Sequence, residues 1–436
     1  MRLVSLVFAL ALLPSLARAD DSNELYLVNH PDGAWWLSAQ GNSILQAQPG
    51  FHSPYQDTNS LDPDDHAQIS FVGTVFAGYE ITPTTAITVT GESAGGGGLS
   101  TALGLAGFTN LDVVRNPSLG AAPYVGRAFI DQTIPLSDER VASERQPLRI
   151  FHEVPTRRIE IRAGKVSTAD FFDVNAIGSD SHLQFMNWTV DNNGAYDYAA
   201  DTRGYTLGGV VDYVDPRFTV RYGFFLMPTV ANGIDYDFDV AHARGENLEL
   251  ELHGCLLGGH PGVLRILGFW NHAKMGNYDE ANAMMTPPDV TMTRKEGRVK
   301  YGFGINGEQE IMPGLRAFGR IGWNEGRNES FAYTEVDNTV LAGVDYQLWR
   351  GKLGVAAVSN GISKPHRTYL GLGGKGFLLG DGRLSYGRED IFDTYYTLRA
   401  YRGVFPALDV QAIGNPGYNT DRGPVLVGSV RLHVEI

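Results

Sequence analysis

The sequence predicts an all-β chain, a transmembrane antiparallel β-barrel of about sixteen strands with short turns at one end and long loops at the other. Three observations carry this. The last segment alternates: Leu426, Val430, Leu432, Val434 and Ile436, in phase with Gly428, are interleaved with Ser429, Arg431, His433 and Glu435. A secretory leader opens the chain, and after it no apolar run has the length of a membrane helix. The same alternation recurs along the chain, between connections that are short and long by turns. In a soluble sheet this pattern would separate core from solvent. After an export signal it separates lipid from a wet lumen.

The leader has its three parts: Arg2 as the positive start, Leu3 to Leu16 as the apolar core, and Ala17-Arg18-Ala19 as a small-residue cleavage site. A retained anchor is disfavoured, because the core is short and broken by Pro14. Residues 1–19 are therefore expected to be a signal peptide, and 20–436 a single barrel domain. The formal charge of −14 falls to about −16 once Arg2 and Arg18 leave. Such an acidic chain has no basic patch for nucleic acid and suits an envelope protein with acidic loops. The single Cys255 cannot form an intramolecular disulfide and excludes zinc or iron–sulfur sites of the cysteine type. It follows Leu252-His253-Gly254 in a strand-like run, which suits a small buried or lipid-facing residue.

No linker divides the chain, and low-complexity sequence is confined to Gly95–Gly98. The 53 glycines and 20 tyrosines suit tight turns and aromatic girdles better than a helical enzyme. Alternating runs long enough to cross an outer membrane fall at 34–48, 66–80, 84–93, 124–134, 157–165, 203–213, 217–226 and 246–256. The second half supplies 261–272, 296–310, 314–325, 338–349, 352–360, 394–402, 407–414 and 424–436.

The connections reinforce the strands. Thr82-Pro83-Thr84, Asp215-Pro216, Gly259-His260-Pro261-Gly262, Met312-Pro313-Gly314, Arg350-Gly351 and Val404-Phe405-Pro406 carry turn-forming residues for tight hairpins. Between them lie long polar or glycine-rich stretches at 94–123, 166–202, 227–245, 273–295 and 361–393. Short periplasmic turns opposite long external loops are the asymmetry of outer-membrane barrels, and an even strand count puts both termini in the periplasm. The segment 135–156 is long where a short turn is due; an extra hairpin around Leu148–Val154 would raise the count to eighteen.

Ile159-Glu160-Ile161-Arg162-Ala163 puts apolar residues on one face and charges on the other. Phe218 to Tyr222, Leu248 to His253 and Leu315 to Ile321 repeat this. An Arg or Lys facing lipid near the membrane midplane costs roughly 2–4 kcal/mol, so these charges are expected to face the lumen. Sixteen strands leave an aqueous channel where eight would be filled by side chains.

Several stretches resemble the carbohydrate-selective porins of the OprB family. The clearest is Gln184-Phe185-Met186-Asn187-Trp188, followed by Asp191-Asn192-Asn193-Gly194-Ala195-Tyr196-Asp197-Tyr198 and on to Tyr205. The closing Asn415-Pro416-Gly417-Tyr418-Asn419-Thr420-Asp421-Arg422-Gly423-Pro424 is equally characteristic. Phe51-His52-Ser53-Pro54-Tyr55, Gly164-Lys165 with Asp170-Phe171-Phe172-Asp173, Ala243 to Asn247, and Gly380 to Leu384 extend the similarity from about residue 51 to the end.

The resemblance implies a sixteen-stranded channel in the outer membrane of a Gram-negative bacterium, through which sugars such as glucose diffuse inward without an energy source. It also implies outer-membrane lipids and the barrel-insertion machinery as partners. Three departures stand out. One of Asn192 and Asn193 is an insertion or substitution relative to the family. Ile436 stands where relatives end in an aromatic residue read by the insertion machinery, which implies less efficient insertion. Glu92-Ser93-Ala94-Gly95-Gly96 lacks the basic residue that relatives often carry after this glutamate, which implies altered selectivity.

A narrow pore must replace the hydrogen bonds that water gives a sugar, yet bind weakly enough to release it. The inward phase nominates Glu92, Glu160, Arg162, Arg221, Glu249, Glu251, Arg316 and Arg320. For each the alternative is a lumen charge balanced by a cross-strand partner. Loop 167–202, with Trp188, Tyr196 and Tyr198, either folds into the mouth or caps it from outside.

Enzyme and metal motifs do not develop. Gly371-Leu372-Gly373-Gly374-Lys375-Gly376 lacks the spacing and the hydroxyl of a phosphate loop. Asp235, Asp237 and Asp239 lack the glycine and terminal glutamate of a calcium loop. There is no Gly-x-Ser-x-Gly elbow and no His-Glu-x-x-His pair. No cofactor, metal or catalytic residue is expected. Beside the passive sugar porin stand two other readings. One is an outer-membrane hydrolase or lipase on a barrel scaffold; the other is a general diffusion or anion- or polymer-export porin of the same fold.

Overall fold

Among the described residues, alternation of β-branched, aromatic and small residues with polar ones draws the chain into eighteen strands, sixteen of which close into one antiparallel barrel. The computed structural model describes residues 25–30, 32–113, 119–254 and 259–436; the expected leader and Cys255 lie outside them. The barrel strands of the first half are β1 (Trp35–Gln48), β2 (His66–Thr82), β3 (Thr85–Gly96), β4 (Tyr124–Pro135), β7 (Arg158–Val166), β8 (Thr206–Asp215), β9 (Phe218–Phe225) and β10 (Arg244–Gly254). Those of the second half are β11 (Gly262–Met275), β12 (Lys295–Met312), β13 (Leu315–Asn324), β14 (Asn338–Leu348), β15 (Gly351–Gly361), β16 (Glu389–Leu398), β17 (Val404–Gly414) and β18 (Val425–Glu435). β1 pairs with β18 from Gln40↔Glu435 to Ala47↔Gly428, which closes the ring.

Both ends of the described chain sit with the short turns, and the long connections, except the one between β4 and β7, emerge at the opposite end. The turn between β12 and β13 shows why the sequence folds so tightly: Pro313 starts it, and Gly314 takes φ +81°, which a side chain would resist. Outward residues such as Leu426, Val430 and Leu432 are exposed, whereas Arg431 and His433 between them are buried on the lumen side. Two aromatic bands mark the lipid face. Trp270↔Tyr301 and Phe303↔Trp323 are cross-strand pairs near the long-loop end, and Trp35 lies 4.4 Å from Tyr79 near the short-turn end.

The segment between β4 and β7 does not add strands to the barrel. Its β5 (Arg140–Ala142) and β6 (Glu153–Pro155) pair only with each other, so the count stays at sixteen rather than eighteen. Three-residue strands are too short to cross a membrane. Instead Ile150, Phe151 and Val154 bury against Trp36, Phe76 and Ala86 on the inner wall. The boundary near residue 400 also shifts. β16 starts at Glu389, earlier than its alternation suggests, and the turn falls at 399–403, so Val404-Phe405-Pro406 belong to β17. Pro406 is tolerated there because it lies near the strand start, beyond the last β16 pair, Thr397↔Ala407. Among the described residues no helix is long and apolar enough to cross a membrane.

Candidate pore constriction

The long connection between β7 and β8 folds into the lumen rather than over it. A capping box opens it: Ser167 and Asp170 bracket a short helical turn, and residues 185–202 run on almost wholly buried. The inward polar side chains of β10–β18 hold it. Arg320 donates to Val190 O at 2.7 Å and Ser179 Oγ at 2.7 Å, and pairs with Asp173 at 2.8 Å. Arg431 donates to Ser181 O and Gln184 O, Thr397 to Leu183 O, Asn324 to Ala195 O, and Asn306 to Asp173 O. Asn187 donates to Gln411 at 2.9 Å. Buried carboxylates work in reverse, accepting loop N–H groups: Glu249 takes that of Asp173, and Asp197 takes those of Phe331, Ala332 and Tyr333.

The Asn-Gly-Ala-Tyr-Asp stretch finds its physical meaning here. Asn193 rests over Gly304 and Gly322, where added methyl groups would collide with its amide. Tyr196 donates to Asn247 at 2.9 Å. The stretch is a docking key for the loop, cut to glycines on β12 and β13.

With the loop fastened along β10–β18, open space remains against the other wall. A chamber of about 560 Å³ runs down from the long-loop end, bordered by Arg127, Asp170, Asp180, His182, Trp188, Asp191, Tyr198, Arg203, Tyr205 and Tyr333. A second, of about 520 Å³, lies at the short-turn end and is bordered by Arg158, Glu160, Arg162, Asp212, Arg221, Glu251 and Arg265. Both are within the size range of small-molecule sites.

Polar and aromatic groups converge on the upper chamber. Arg127 and Asp170 are paired; the Tyr205 hydroxyl donates to Glu92 at 2.7 Å, and the Tyr124 hydroxyl also donates to Glu92. Arg203 lies over the Tyr124 ring at 3.8 Å in a cation–π contact. Asp191 takes one bond from Asn192, while its buried Oδ1 has no partner among the described residues. Burial raises the Asp191 carboxyl well above the usual carboxylate range. Trp188, Tyr333 and Tyr198 form a continuous aromatic wall, with ring centroids 5.8 Å and 4.8 Å apart. Burial opposes the charge on His182, but Asp112, 3.1 Å away, outweighs it and lifts the imidazole to about 9.

The charges around the lower chamber are mutually satisfied. Arg158 and Arg162 share Glu160, and Arg162 also reaches Asp131 and Asp212. Arg221 bridges Asp212 at 2.9 Å and Glu249 at 2.8 Å. Arg265 bridges Glu251 at 2.6 Å and Glu308 at 3.1 Å.

The structure sorts the candidates read from sequence. Glu160, Arg162, Arg221 and Glu251 border the lower chamber, and Trp188 and Tyr198 the upper one. Arg316 borders a separate cavity at the short-turn end and pairs with Asp345. Glu92, Glu249, Arg320 and Tyr196 border neither chamber; they hold the loop or the tyrosines that flank the passage. Sequence reasoning missed Arg127, Asp170, Asp191, Arg203 and Tyr333. The signal for Asp170 was Ser167-Thr168-Ala169-Asp170, a helix-start signature whose carboxylate also meets Arg127, while Asp191 and Arg203 lay within the Gln184–Tyr205 stretch that carries the resemblance.

A closed sixteen-stranded barrel with lipid outside, charges inside and a loop folded in to narrow the lumen is an outer-membrane porin. The chain belongs to the carbohydrate-selective porin, OprB family, whose description matches residues 79–436, and its function is that of a sugar porin. The high-pH structure of Pseudomonas putida OprB superimposes with a TM-score of 0.70 at 14% identity, over 92% of this chain and 94% of that one. The outer-membrane channel DcaP of Acinetobacter baumannii gives 0.52 at 7% identity, over 92% and 97%. No curated protein sequence matches the chain.

Proposed function

We propose that the upper chamber is the sugar-selective constriction and that its solutes are neutral sugars of glucose size or short oligosaccharides. One observation carries this: the Asp191 carboxyl, the guanidinium of Arg203 and the aromatic wall of Trp188, Tyr198 and Tyr333 border one passage. The Asp191 carboxyl would hydrogen-bond a sugar hydroxyl, Arg203 would donate to ring or hydroxyl oxygens, and the rings would cover the apolar face of a pyranose. Each exchanged hydrogen bond nets roughly 0.5–1.5 kcal/mol, so a few of them give weak binding that still permits release.

In this reading the short-turn end and both termini face the periplasm, residues 1–19 are removed on export, and lipid meets the aromatic bands. The channel turns over no substrate. The test is a planar-bilayer titration. Glucose should reduce single-channel current with millimolar-range affinity, whereas a general diffusion porin would show ion selectivity and no sugar block.

A further inference from the structure

The β4–β7 connection, long where every other connection at its end is short, stands in the path between the two chambers. Its tip is a closed turn: Gln146 N donates to Arg149 O at 2.8 Å, and Arg149 N to Gln146 O at 2.9 Å. Gln146 and Leu148 border both chambers, Pro147 the upper and Arg149 the lower. The turn is fixed in place. Below it Ile150 and Phe151 are buried against Trp36 and Phe76, and Gly78 of β2 leaves the hollow that Ile150 occupies. Arg145 donates to Ile150 O at 2.7 Å and Trp35 O at 3.1 Å, and Arg140 pairs with Glu153 at 2.6 Å to hold the hairpin.

The lower chamber makes the tip chemically distinct. Its four wall arginines are each held by carboxylates, which leaves them little to offer a passing solute. Arg149 is exposed and has no carboxylate within 4.0 Å among the described residues. It is therefore the cation of this chamber whose charge is not already spent on the wall.

We propose that the Gln146–Arg149 turn is a second filter of the channel, in which Leu148 sets the width between the chambers and Arg149 holds solutes that carry a carboxylate, such as sugar acids. This rests on the channel reading above. Bilayer recordings with glucose and gluconate, on the natural protein and on Arg149→Gln and Leu148→Ala, test it. Gluconate should block the natural channel, and Arg149→Gln should weaken that block roughly two- to fivefold while glucose block is unchanged. Arg149→Lys should restore part of it, and Leu148→Ala should raise single-channel conductance. Heat-modifiable gel mobility reports that each variant is an assembled barrel. Unchanged gluconate block in Arg149→Gln, together with unchanged conductance in Leu148→Ala, overturns the filter while leaving the sugar porin standing. Absence of glucose block in the natural protein overturns the sugar-selective constriction itself.

Discussion

Arg127 and Asp170 face each other through two parallel bonds, Nε to Oδ2 at 2.7 Å and Nη2 to Oδ1 at 2.7 Å, and so join the barrel wall to the first turn of the lumen loop. The pair neutralises two charges beside the upper passage while fixing where the loop begins. Bidentate geometry gives it both strength and direction.

Asp170→Asn keeps the shape of this contact and removes one charge. The freed guanidinium should shift the reversal potential in a salt gradient toward anions, and Arg127→Gln should shift it toward cations. Equal reversal potentials in all three proteins would mean that this pair does not face the ion path.

Gly322→Ala should unseat the loop, because the new methyl overlaps Asn193. Overpacking of this kind costs roughly 1–3 kcal/mol. Arg320→Ala should act more strongly, at roughly 3–5 kcal/mol, since it leaves Asp173 buried without its cation. In both, single-channel conductance should rise and sugar block weaken, with the barrel still heat-modifiable on gels. Natural conductance in both variants would show that the loop does not limit the pore.

Asp191→Ala and Tyr333→Ala remove a hydrogen-bonding carboxyl and part of the aromatic wall. Each should weaken glucose block by roughly two- to twelvefold, the range that about 0.5–1.5 kcal/mol spans. Asp191→Asn retains an acceptor and should lose less than Asp191→Ala. A glucose titration unchanged in all of them would move the sugar site elsewhere.

The long-loop cap contains a buried histidine that should sense alkali. Burial opposes the His366 charge, but Asp337 at 3.1 Å, with Glu335 beyond it, raises the imidazole to about 8. Its ring stacks on Tyr278 at 4.2 Å, joining helix α1 (Tyr278–Met284) to helix α2 (Lys364–Gly371). A group bound more tightly as its acid stabilises the fold fully below its unfolded pKa, near 6.5, and loses that contribution as pH rises through about 8. The shift corresponds to roughly 2 kcal/mol. Limited proteolysis of the cap should therefore accelerate between pH 7 and pH 9, and His366→Gln should cleave quickly at every pH. A natural protein with a flat profile across this interval would contradict the assignment.

The barrel was legible because its signal is periodic. Phe218 to Tyr222 alternates lipid against lumen, and a single apolar–polar repeat decides which face each residue takes. The start of β16 was not, because Glu389 and Asp393 read as loop residues although they face inward, where Glu389 receives the N–H groups of Ala106, Gly107 and Gly417. The inward phase of Arg320 was readable too, but its partners were not. Whether a lumen arginine meets a solute or a carbonyl of Val190 depends on a loop path set by contacts more than a hundred residues apart, which no local pattern encodes. Trp188 and Tyr198 reached the passage because they ride on that loop, and Tyr333 escaped notice because it comes from another one.

The fastening of the lumen loop along β10–β18 divides the barrel's labour unequally around its circumference. Strands on that arc are committed to carpentry: a change there loosens the insert before it alters any solute. The opposite arc, from β1 to β9, carries less of that burden, through the Arg127–Asp170 pair and the Arg221 bond to Phe171 O, and is freer to vary in charge and bulk. Mutational tolerance should thus map as a crescent. Descendants of this barrel can exchange one cargo for another by rewriting one side of a ring and leaving the other untouched.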